Sequence, residues 1–152
     1  MNVKTTMTKI VVTLQEDDCI KDANHIMTAL RCRHLPVIRG KEIVGIVSDR
    51  DLYLHSTLED GVMIVPNMHI GKIMTTVVRT CDEKCSVSDA VSIMLNNKID
   101  CLPVTNQSGH LLGIVTSTDL MHLLLDSEKE WLMGPLPFRY DIKSLHNYRA
   151  TA

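Results

Sequence analysis

Apolar positions along the chain follow two rhythms that each occur twice. Ile20, Ala23, Ile26, Met27 and Leu30 recur at helical spacing, and so do Val87, Ala90, Ile93 and Met94. Ser86 is placed to cap the second of these helices, and Asp17 or Asp18 the first. An extended start precedes each helix, "KIVVTL" at 9–14 and "TVVRTC" at 76–81. Two strand-like runs follow each: "LPVIR" and "EIVGIVS" around a Gly40-Lys41 turn, then "LPVTN" and "LLGIVT" around "QSG". A further helix begins near Asp49 and again near Ser117. The predicted order is β-α-β-β-α, twice.

The two halves are copies. Met7, Asp22 and Pro36 match Met74, Asp89 and Pro103 at an offset of 67, and Gly45 and Asp51 match Gly113 and Asp119 at 68. "LPV" and "GIV" stand in both. The fold class expected is α/β (α+β), with two units related by a pseudo-twofold axis, packed sheet to sheet with helices outside. One unit of about 60 residues exposes too much apolar surface to be stable alone. The organisation expected is unit 1 at 1–60, a connecting segment at 61–73, unit 2 at 74–127 and an aromatic-rich tail at 128–152. Asp60-Gly61 and Pro66 break the connection, whose Val62, Met63, Ile64 and Val65 predict a packed crossover.

Composition narrows the function classes. With 152 residues, 45% hydrophobic and 22% charged, the chain has the make-up of a soluble globular protein. A net charge of −2 gives no general attraction to nucleic acid or to anionic membrane. No apolar run reaches the roughly 20 residues of a membrane span, and the N-terminus lacks a secretory apolar core, so a cytoplasmic protein is expected. The five cysteines show no disulfide framework and no zinc-ligand spacing; reduced, mostly buried thiols are the reading.

"GIVSDRDL" and "GIVTSTDL" carry the chemistry. Ser48 with Asp51, and Thr116 with Asp119, have capping-box spacing, which stabilises a helix start by about 0.5–2 kcal/mol and needs no ligand. A second reading is open. Free amides at a helix start receive phosphate oxygens, a hydroxyl donates to them, and an ionised Asp accepts from neighbouring ribose hydroxyls. Spacing alone leaves both readings standing.

The doubled unit, with its Met-Thr start, Asp-Ala helix, Leu-Pro-Val strand and Gly-Ile-Val-(Ser/Thr)-x-x-Asp, closely resembles a tandem pair of cystathionine β-synthase (CBS) domains. Within that family "SDRDL" looks most like stand-alone pairs and those related to acetoin-utilisation proteins. The resemblance implies two clefts related by the pseudo-twofold axis, which bind adenosine-containing ligands. Carried over by position, one cleft would combine Thr116, Thr118 and Asp119 with Asp18, Arg33 and His34. The other would combine Ser48, Arg50 and Asp51 with Cys85, Asp100 and Cys101. Arg33 and His34 give the first a cationic side, whereas Asp100 in the second would repel phosphate, so the first is expected to be the tighter nucleotide site.

The function implied is a non-catalytic regulatory sensor of AMP, ADP, ATP or a related adenosyl compound, reporting energy state to a partner protein, with no cofactor. S-adenosylmethionine and NAD are alternative ligands, and a purely structural dimerisation module is the rival class. Catalysis is disfavoured because the Asp residues have no recurrent His or Lys partner and no P-loop or GxGxxG appears. Four of the five aromatics (Trp131, Phe138, Tyr140, Tyr148) lie late in the chain, either on their own module or at a homodimer contact.

Overall fold

The computed structural model describes residues 1–131, with side chains to residue 126. The contacts divide the chain into two compact units, Met1–Leu120 and Met121–Ala152. The described residues that line the clefts lie in the first. The aromatic side chains of the tail lie outside the described residues.

Helix α1 spans Ile20–Leu30 and buries Ile20, Ala23 and Met27, three residues of one face. Its N-cap is Cys19, which makes no side-chain cap bond, so neither Asp17 nor Asp18 caps it. Strands β1 (His34–Arg39) and β2 (Glu42–Ser48) pair antiparallel across Gly40, whose φ of 65° suits a residue without Cβ. Helix α2 follows at Asp49–His55. In the second half, β5 (Cys81–Asp82) precedes α3 (Val87–Asn97), and the Ser86 hydroxyl accepts the Asp89 N–H at 3.0 Å as its cap. Between the halves β3 (Thr57–Glu59) and β4 (Val62–Ile64) pair as an antiparallel hairpin. Strands β6 (Cys101–Thr105) and β7 (Leu111–Thr116) pair antiparallel, and α4 begins at Ser117 and runs to Trp131. None of the described helices is long and apolar enough to cross a membrane.

Two expectations need correction. The extended starts are not strands over most of their length. In the first half only Leu14 bonds to the sheet, donating to Pro36 C=O and accepting from Ile38 N–H, both at 2.9 Å. In the second half pairing is limited to Cys81 and Asp82. Residues 9–13 and 76–80 make no backbone–backbone hydrogen bond, so they run as bare limbs. The connection is not packed in its first half. Its apolar residues form the β3–β4 hairpin, turned by Asp60 (φ 48°) and Gly61 (φ 78°), with Leu58 and Val62 75% and 60% exposed. Its second half does pack: Val65 and Met68 lie against the core, and Ile70 and Ile73 belong to it.

The pseudo-twofold axis shows in reciprocal contacts. The Val3 N–H donates to Cys85 C=O, and its equivalent Ile70 donates to Asp18 C=O, both at 2.9 Å. Thr8 bridges Ile114 while Thr75 bridges Ile46. The Met7 thioether lies over Gly113, and the Met74 thioether over Gly45; a Cβ at either glycine would fall within 3 Å of sulfur. Each Met-Thr start thus packs into the opposite half. Ile70 and Ile73 belong to the core around Ile20, Leu35 and Val47, and Val3 to the core around Leu102, Val104 and Val115. The two sheets meet where the Leu111 N–H donates to Lys41 C=O, and the helices lie outside.

Candidate functional site

The boxed turns form as their spacing requires. The Ser48 N–H and hydroxyl both donate to Asp51 Oδ2 at 2.7 Å, and the Asp51 N–H returns to Ser48 Oγ at 3.3 Å. The Thr116 N–H and hydroxyl donate to Asp119 Oδ2 at 2.8 and 2.7 Å, and the Asp119 N–H returns to Thr116 Oγ1 at 3.2 Å. Both boxes are therefore helix caps. They are also more than caps, because Asp51 and Asp119 line cavities and spend only Oδ2 on the box. Oδ1 of each remains an acceptor open to a ligand hydroxyl.

Helix-start amides contribute less than the spacing alone promises. The Asp49 N–H donates to Arg33 C=O at 3.0 Å, and the Ser117 N–H to Asp100 C=O at 2.8 Å. The Arg50 N–H is taken by Asp49 Oδ1 at 2.8 Å. In the first turns of α2 and α4 this leaves the Thr118 amide without a hydrogen bond among the described residues, so the helix starts offer an anion little beyond side chains.

Two cavities flank the pseudo-twofold axis. The first, of about 430 Å³, brings together Arg33, His34, Thr116, Thr118 and Asp119. The second, of about 590 Å³, brings together Ser48, Arg50, Asp51, Asp100 and Cys101. Asp18 and Cys85 are in neither, contrary to expectation. Their carbonyls accept the Ile70 and Val3 N–H groups, so these positions dock the other half's Met-Thr start instead of facing a cleft. Asp18 Oδ2 also accepts the Gln15 N–H at 2.7 Å, while the Cys85 side chain packs on the second core.

The limbs supply what the motifs did not reveal. Ile10, Val11 and Val12 wall the first cleft, and Val77, Val78 and Arg79 occupy the equivalent wall of the second. Ile10 is 93% exposed, an uncovered apolar surface at the first cavity. The available signal is an apolar run with little polar alternation, which in sequence marks only an extended start.

Charge also falls differently than expected. Burial is the largest influence on His34 and pushes its imidazole below the ordinary 6.5, against the raising effects of Asp49, Asp100 and Asp51. His34 is therefore mostly neutral at pH 7 and gives the first cleft little positive charge. That cleft is lined by Arg31 and Arg33 with Asp100 and Asp119. The second adds Arg50, Arg79 and Lys98 to Arg33, facing Asp49, Asp51 and Asp100. By its lining the second cleft is the more cationic of the two, and the order expected from Arg33, His34, Asp100 and Arg50 gains no support from the charges. Burial, with a smaller push from Asp100, raises the Cys101 thiol to about 12, so it is a neutral wall and not a nucleophile.

The CBS domain family model matches twice, at residues 3–56 and 70–126. The chain belongs to the CBS domain family, and two copies account for most of its length. It is 35% identical over 112 residues to the inosine-5'-monophosphate dehydrogenase of Korarchaeum cryptofilum, covering 74% of this chain and 22% of that enzyme. The match thus spans about a fifth of the dehydrogenase. Among solved structures, an acetoin utilization protein (AcuB) of Vibrio cholerae superposes with a TM-score of 0.73 at 28% identity, over 90% of this chain and 98% of that one. The CBS domain pair of protein MJ0100, solved with 5'-methylthioadenosine and S-adenosyl-L-methionine, gives a TM-score of 0.73 at 26% identity, over 84% and 98%.

Proposed function

We propose that this chain is a non-catalytic regulatory module that binds adenosine-containing ligands in the two clefts and signals their presence to a partner protein. AMP, ADP and ATP are the leading ligands, with S-adenosylmethionine and NAD as alternatives, and the working form is a cytoplasmic homodimer. One observation carries the reading: a twinned Asp whose Oδ2 closes a cap while Oδ1 is left for a ligand, beside an apolar limb and cations. The limb suits a base, the acid suits ribose hydroxyls, and the arginines suit phosphate. The adenosyl ligands of the MJ0100 domain pair support the same chemistry. The match to a dehydrogenase covers only a small part of that enzyme and brings no reaction to this chain.

Thermal melting with AMP, ADP, ATP, NAD and S-adenosylmethionine tests the reading. A ligand at a hundred times its dissociation constant adds about 2.7 kcal/mol, visible as a rise of about 5–10 °C. A melting curve unmoved by every compound refutes ligand sensing and leaves the structural dimerisation module.

A further inference from the structure

Three residues line both cavities: Arg33, His34 and Asp100. Arg33 and Asp100 are equivalent positions of the duplication, so the axis between the clefts is flanked by opposite charges. Both are exposed, and neither side chain makes a hydrogen bond or an ion pair among the described residues. The guanidinium is therefore uncommitted, at the boundary of two sites.

We propose that Arg33 is a shared phosphate ligand and that it makes the two clefts compete: a phosphorylated ligand in one weakens the binding of a second in the other. This rests on the adenosine-ligand reading above. A guanidinium holds a phosphate through a planar donor fork and serves one such partner at a time. When Arg33 turns into one cleft, Asp100 stays facing the other as an uncompensated anion. The loss falls harder on the first cleft, where Arg31 is the remaining cation, than on the second, which keeps Arg50, Arg79 and Lys98. Coupling between sites is reciprocal, so either ligand weakens the other by the same factor. A ligand without phosphate does not recruit Arg33 and escapes the competition.

Calorimetric titration of the full chain with AMP and with adenosine tests this, in the natural protein and in Arg33→Ala. Arg33 is exposed and has no side-chain partner to lose, so the variant keeps the fold. Stepwise AMP affinities are expected to differ by at least about fivefold more than stepwise adenosine affinities. Arg33→Ala is expected to weaken the first AMP and to narrow the AMP spread, leaving only the part that Arg50, Arg79 and Lys98 give the second cleft over Arg31 in the first. Two adenosines but one AMP per chain would be the extreme form of the same result. Equal spreads for AMP and adenosine, or an AMP spread that Arg33→Ala does not narrow, overturns the competition and leaves ligand binding intact. Failure of both compounds to bind overturns the competition together with the functional reading beneath it.

Discussion

At His34 an imidazole sits half-buried among Asp49, Asp51 and Asp100 with Arg33 beside it, and burial decides its state. Its native pKa lies below the 6.5 it has in the unfolded chain. As pH falls through the interval between those values, the unfolded chain takes up a proton that the native protein refuses. Stability from this group is thus full above 6.5, declines through the interval, and is lost below the native value. Urea unfolding at pH 7.5 and 5.5 should show a larger acid loss in the natural protein than in His34→Gln, which cannot titrate there. Equal losses would contradict the assignment. The neutral state of His34 was invisible in the sequence, since it comes from packing. The acids of "SDRD" and "TSTD" were legible, because a capping box is a local device whose spacing fixes its geometry. Asp18 and Cys85 misled because a position inherited from a family pattern says nothing of which backbone group it meets, and here that group is the N–H of a segment from the opposite half.

Among the elements, helices and paired strands could be read because one face of each is buried. Ile20, Ala23 and Met27 on α1, and Ala90 and Met94 on α3, keep helical spacing for that reason. Apolar runs that are not buried were the blind spot. Ile10–Val12 and Val77–Val78 border cavities, and the β3–β4 hairpin projects its side chains, yet in sequence all look like core. The hairpin should then matter little to stability. Replacing residues 58–63 with Asn-Gly would let Thr57 and Ile64, already paired, close on a two-residue turn. The urea midpoint is expected to move by no more than the equivalent of about 0.5 kcal/mol. A collapse of the cooperative transition would show that the hairpin supports the core after all.

For the molecule as a whole, the exchange of Met-Thr starts makes the halves interdependent. Val3 is fully buried in the second core and Ile70 in the first, and burying such side chains stabilises by about 1.5–3 kcal/mol each. Residues 1–67 and 68–152 expressed separately are each expected to lack a cooperative melt, and to regain one when mixed. An independent melt from either fragment would show that the exchange is dispensable. The same lacing limits how occupancy can be felt. Parting the halves would break the Thr8–Ile114 and Thr75–Ile46 bridges and pull Met7 and Met74 off their glycines. Raising a limb at 9–13 or 76–80 breaks no backbone hydrogen bond. The cheapest motion available is that of a flap hinged at the lacing, and a reader of the clefts would do best to touch the flap.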